Sequence, residues 1–233
     1  GFVLDGTGKA EYPADIGIKY GKIISIENPG VLNNDNAINI IDASGLKVSP
    51  GFIDIHSHTD TGLFINPKAE SKIRQGVTTE AAGQDGSSVA PRKPKETNNE
   101  FNADGRNWES FNDFFTLLEE NKTAVNFLTF VGQGTIRGYV VGQDDRPATT
   151  EEIERMKKII IESLEQGVFG VSSGLEYTPG SFATTEELIE ISKVMKEHGG
   201  FYTTHMRNED DRVLEAIEEA IRTGYEAGIP VNI

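Results

Sequence analysis

Pro50-Gly51-Phe52-Ile53-Asp54-Ile55-His56-Ser57-His58-Thr59-Asp60 places two of the four histidines two positions apart at the end of a short apolar run. In an extended strand, residues i and i+2 share a face, so both imidazoles project into the same space. Charged rings that close repel, and neutral ones gain little from each other. A metal ion between them resolves the conflict. The bland alternative is a pair of hydrogen-bonded core histidines, and the strand-end position beside Asp54 and Asp60 argues for ligation.

Outward from this strand, runs at Phe52 to Ile55, Val77 to Ala82, Ala124 to Val131, Val168 to Ser172, Phe201 to Thr204 and Pro230 to Ile233 read as strands. Amphipathic segments separate them. Helix 151–166 is expected to bury Ile153, Met156, Ile160 and Leu164; helix 186–198, Leu188, Ile191 and Met195; helix 210–226, Val213, Ile217, Ala220 and Ile221. Gly76, Gly167, Gly200 and Gly228 each precede a strand as left-handed C-caps would. Thr149 and Glu152, and likewise Thr184 and Glu187, have capping-box spacing.

The βα alternation predicts an α/β chain forming an incomplete (β/α)₈ TIM-like barrel of about six strands over residues 51–233. Residues 1–50 read as all-β, the N-terminal part of a small β-sandwich, with strands around Tyr20-Gly21, at Ala37 to Ile41 and at Leu46 to Val48. The opening residues look mid-strand and only six barrel strands are present, so a fragment is expected. Two long connections stand out: Gly83 to Asn107, polar enough for a mobile loop or lid, and Gly132 to Pro147.

Bulk properties narrow the chemistry. Of 233 residues none is cysteine, which leaves nitrogen and oxygen donors for any metal. The charge of −15, from 22 basic and 37 acidic residues, opposes binding to nucleic acid or anionic lipid. No apolar run is long enough to span a membrane, and no signal peptide is visible, so the expected location is cytoplasmic.

Chemistry-bearing residues recur just past strand ends: His56 and His58, Asp85, Glu176 and His205. In a barrel these positions converge on one mouth. Such a donor set suits zinc, with Mn, Co or Fe also possible, and one or two ions would fit. A bound divalent ion lowers the pKa of water toward ~7 and polarises a carbonyl under attack, which is hydrolytic chemistry. Glu176 could pair with an arginine or bridge two metals. Asp85 could be a ligand or a turn former in Gly83-Gln84-Asp85-Gly86. His205 could simply end its strand. His198 sits in a last helical turn, where capping explains it.

Asp5-Gly6-Thr7-Gly8, the His-Ser-His strand, Gly76-Val77-Thr78-Thr79, Gly174-Leu175-Glu176-Tyr177-Thr178-Pro179-Gly180 and Thr204-His205-Met206-Arg207 together resemble the amidohydrolase superfamily and, within it, the N-acyl-D-amino-acid deacylases. The resemblance implies a distorted barrel with a β-sandwich built from both chain ends. It also implies hydrolysis of an N-acyl-D-amino acid, a small-molecule partner, to a carboxylate and a D-amino acid. By position His56 and His58 would hold one metal and His205 the second. Tyr177 would bind the substrate carboxylate, with Arg207 a weaker candidate whose alternative is a structural salt bridge. This sequence has no cysteine in the turn after the second strand, where the family's metal ligand stands. Glu176 therefore ranks first as the bridge and Asp85 second.

The resemblance further implies a histidine after the sixth strand and a general-base aspartate after the eighth, both beyond Ile233. The chain alone is thus expected to be inert unless a missing portion or an oligomer partner supplies them. The alternatives are a cyclic-amide hydrolase of the dihydroorotase or hydantoinase type and a non-catalytic barrel fragment.

Overall fold

In the computed structural model, which describes residues 1–32, 35, 37–93 and 106–233, the chain divides into two units, Gly1–Phe52 and Ile53–Ile233. In the first, β1 (Phe2–Val3) pairs antiparallel with β2 (Tyr12–Pro13). A hairpin follows from β3 (Asp15–Lys19) and β4 (Lys22–Glu27), and β5 (Lys47–Val48) returns parallel to β1. Tyr20 and Gly21 both take positive φ, the requirement of a two-residue I′ turn. Residues 37–41 form no strand, contrary to expectation, and Ile38 and Ile41 stand exposed.

The second unit opens within β6 (Phe52–Asp54), followed by α1 (Gly62–Ile65), α2 (Glu70–Ile73) and β7 (Val77–Ala82). Next come α3 (Phe111–Asn121), β8 (Asn126–Thr129), β9 (Val131–Gly132), α4 (Gln133–Val140) and α5 (Thr150–Glu165). The series closes with β10 (Gly170–Gly174), α6 (Thr185–Ser192), β11 (Phe201–His205), α7 (Val213–Ala227) and β12 (Val231–Asn232). Strands are ordered β6-β7-β8 and β9-β10-β11-β12, and the pairs β7/β8, β9/β10, β10/β11 and β11/β12 are parallel. The unit is α/β.

Capping chemistry explains several helix starts. Thr149 and Glu152 form the reciprocal box at α5, and Ser110 with Asp113 forms another at α3. At α6 only half the box exists. Thr184 accepts from the Glu187 amide, but the Glu187 carboxylate turns inward, accepting from the Ala148 amide at 3.2 Å and facing Arg137 Nε at 3.4 Å. Burial pushes the Glu187 carboxyl upward, and the Arg137 guanidinium opposes that shift.

Other expectations need correction. The run 124–131 is interrupted at Phe130, whose amide reaches Ala82 O at 3.0 Å and whose ring packs on Phe201. The segment 132–147 is no plain connection, because α4 buries Gln133, Ile136 and Arg137 within it. The helix at 186–198 tightens to a 3₁₀ turn over Lys193–His198, and its left-handed cap is Gly199, not Gly200. On α7, Ile221 is exposed, and Ala216, Thr223 and Gly224 take the inward positions with Ala220. Of the lid expected over 83–107, residues 83–93 are instead mostly buried, with Val89 and Ala90 in the core, and residues 94–105 lie outside the described residues.

The core joins two regions. Phe64 and Trp108 each pack edge to face on Phe114 at 5.3 Å between ring centres and lie tilted to each other at 6.0 Å, while Met156, Ile160, Val171, Ile191, Met195 and Tyr202 fill the space between strands and helices.

Candidate metal centre

His56 and His58 follow β6, and their ring centres lie 5.2 Å apart. Asp85 comes from the turn after β7. Its Oδ2 lies 3.3 Å from His56 Nε2 and 3.0 Å from His58 Nε2, and its Oδ1 lies 3.8 Å from His205 Nδ1. One carboxylate thus faces three imidazoles carried at the ends of two strands, β6 and β11.

The turn that presents it is held tightly. Asp85 has φ +54°, a left-handed conformation uncommon for a residue with a Cβ, between Gly83 at +71° and Gly86 at +73°. A Cβ on Gly83 would lie 2.2 Å from Phe130 O, and one on Gly86 would lie 2.7 Å from Gly174 N. Ser172 Oγ donates to Gly83 O and accepts from the Gly86 amide, and Gln84 Nε2 donates to Ile55 O at 2.9 Å. Strands β6 and β10 therefore fix the carboxylate from both sides.

His205 ends β11 in register with Gly174, the last residue of β10. Its Nε2 points away from Asp85, toward Glu176 at 3.5 Å and Glu209 at 3.7 Å. The Tyr177 ring lies against it, centre to centre 5.1 Å. Glu176 thus contacts His205 and not the His56/His58 pair. Glu209, in the acidic run Glu209-Asp210-Asp211, was not singled out from sequence, although its i+4 spacing from His205 was the available signal.

Arg207 is engaged elsewhere. Its guanidinium donates to Glu219 Oε2 at 2.9 Å and Oε1 at 3.0 Å, and to the carbonyls of Ser181 at 2.8 Å and Ala183 at 2.9 Å. The salt-bridge alternative describes it, and the guanidinium braces the segment after β10 against α7 rather than facing the histidines. His198 lies in the 3₁₀ turn ahead of the Gly199 cap.

Behind the pair, burial pushes the Asp60 carboxyl up to about 6, opposed by the charge of His58 and a hydrogen bond from the Gly83 amide.

The donor set fits a divalent ion. One ligand atom from each of His56, His58 and Asp85 falls within 4.8 Å of the others. Asp85 Oδ1 and His205 Nε2 are buried without a hydrogen-bond partner among the described residues. Converging nitrogen and oxygen donors with unsatisfied valence are what a borderline cation satisfies.

Comparison with known proteins points the same way. A D-aminoacylase of Alcaligenes xylosoxydans xylosoxydans is 38% identical over 237 residues, covering 100% of this chain and 48% of its own length. A D-aminoacylase structure described for the functional role of its binuclear metal centre superimposes with TM-score 0.89 at 36% identity, over 99% of this chain and 49% of that one. The N-acyl-D-glutamate deacylase of Bordetella bronchiseptica, complexed with zinc and a phosphonate inhibitor, gives TM-score 0.90 at 32% identity, over 100% and 49%. The chain spans about half the length of these relatives. The Amidohydrolase family model matches residues 39–233, and with three imidazoles gathered on one carboxylate at the strand ends, the chain belongs to the amidohydrolase family.

Proposed function

We propose that the whole protein is a metal-dependent hydrolase that cleaves the amide of N-acyl-D-amino acids, releasing a carboxylate and a D-amino acid. The observation that carries this is the contact of Asp85 with His56, His58 and His205. We assign these four as the ligand set, with Asp85 rather than Glu176 as the shared carboxylate, because Glu176 reaches His205 alone. Zinc is the ion this set suits best. When bound, it activates water and polarises the scissile carbonyl.

The chain's own residues bind and orient. Glu176, on the far side of the His205 ring, places its carboxylate 3.5 Å from Nε2 and favours the tautomer that turns Nδ1 toward Asp85, the role of carboxylates behind ligating histidines. Tyr177, half exposed beside that ring, offers its hydroxyl to the substrate carboxylate. Proton delivery to the leaving amine needs an acid–base group, and none of these residues is assigned it. The strand series is taken as part of a (β/α)₈ barrel and the first unit as part of a β-sandwich. No helix among the described residues is long and apolar enough to cross a membrane; a cytoplasmic location remains the proposal.

The test is turnover by the zinc-loaded full-length protein of N-acetyl-D-amino acids, their L-enantiomers, dihydroorotate and hydantoins. D-selective release of the amino acid supports the assignment. Turnover of the cyclic amides alone would replace it with the cyclic-amide alternative, and no turnover of any substrate would favour a binding role.

A further inference from the structure

We infer that Lys72 and the buried Glu80 form a clamp that fixes the main chain carrying His56 and His58, and so act as positioning residues for the pair; this rests on the metal-centre assignment above. The side chains of His56 and His58 are 50% and 58% exposed, so packing does not hold the rings. Their aim depends on where the backbone sits.

That backbone is tied at each flank. Lys72, on α2, donates to the Asp54 carboxylate and to Ser57 Oγ at 3.4 Å, and its ammonium lies 3.5 Å from Glu80 Oε1. Glu80, on β7 and fully buried, accepts from the Thr59 hydroxyl through its other oxygen. Ser57 and Thr59 hydroxyls share a 3.2 Å hydrogen bond, and Asp54 Oδ1 accepts from the His56 amide at 3.3 Å. Residues 54, 57 and 59 thus bracket both histidines, and all three lead to one ammonium and one carboxylate. The Ser57 amide also donates to Ala81 O at 2.9 Å, which ties the same segment to β7.

An ion pair with one partner buried seldom contributes more stability than apolar residues of the same size. What an ammonium adds is direction, since its three donors must point at three acceptors. Here Asp54 and Ser57 flank His56 and accept from the ammonium, while Glu80, whose Oε1 stands 3.5 Å from it, holds Thr59 beyond His58, and the clamp touches neither ring. A charged residue in the otherwise uncharged strand Val77-Thr78-Thr79-Glu80-Ala81-Ala82 was the visible sign of it.

The experiment titrates zinc against a chromophoric chelator in the full-length protein, as wild type and as Thr59→Val, Thr59→Ser and Lys72→Met, with the visible spectrum of the cobalt-loaded forms and melting of the metal-free forms. Lys72→Met should weaken zinc binding about 10–100-fold, the range for groups behind metal ligands, and alter the cobalt spectrum. Thr59→Val should act in the same direction, and Thr59→Ser, which keeps the hydroxyl, should restore binding. If Lys72→Met does not fold, the Thr59 pair decides. Lower melting with wild-type zinc affinity and cobalt spectrum would overturn the clamp and leave the metal centre intact. A wild type that binds no zinc would overturn the centre itself, and the clamp with it.

Discussion

Gly174→Ala isolates the link between strand packing and the proposed metal centre. A Cβ at this position would stand 2.2 Å from Asp85 O, 2.7 Å from Asp85 C and 2.7 Å from Tyr177 Cδ2. Carbon contacts settle near ~3.5 Å, so the Asp85 carbonyl must retreat by about 1.3 Å. The tyrosine ring is half exposed and can swing aside, whereas the turn is pinned through the Gly86 amide to Ser172 and through Gly86 O to the Thr135 amide. Overpacking of this kind costs roughly 1–3 kcal/mol. The larger effect falls on the centre, because Asp85 Oδ2 would leave its 3.0 Å and 3.3 Å contacts with His58 and His56. A displacement of ~1 Å in a functional group can cost on the order of 10²-fold in activity, and zinc affinity should fall steeply with it. Gly142→Ala is the control, with φ +91° and nothing within 4 Å of its Cβ. It should lower stability by roughly 1–2 kcal/mol from left-handed strain alone and leave zinc binding unchanged. Zinc competition titration and thermal melting of both variants make the comparison. Wild-type zinc affinity in Gly174→Ala would refute the coupling.

Zinc at about 100 times its Kd should stabilise the protein by about 2.7 kcal/mol, an increment that a chelator removes and that Asp85→Ala abolishes; calorimetry reads it directly. Arg137→Met should cost about 3–5 kcal/mol by leaving the buried Glu187 carboxylate unpaired, and adding Glu187→Leu should recover part of the loss in urea unfolding. The Arg146 guanidinium holds the Glu152 carboxyl down to about 2, from an ordinary 4.5. Its stabilising contribution is therefore complete above pH 4.5 and lost as pH falls toward about 2, and Arg146→Met should flatten that part of the melting-temperature profile.

The strand and helix series was legible because its signals are local. Period-two and period-3.6 patterns, threonine caps and the His56/His58 spacing each involve residues within about one turn or one strand of each other. So did the choice of nitrogen and oxygen ligands in a chain without cysteine. Which carboxylate joins the imidazoles was not local. Asp85 and Glu176 both follow strands, and only the packing of Gly83, Gly86 and Gly174 against neighbouring backbones brings the Asp85 turn onto the histidines, while Glu176 is left on the outer side of His205. The same holds for Arg207, whose acceptors lie 12 to 26 residues away, and for Ile221, whose apolar character said nothing about which face of α7 turns inward. Residue type declares what a side chain can do chemically, and the contacts between distant backbones decide which partner it meets.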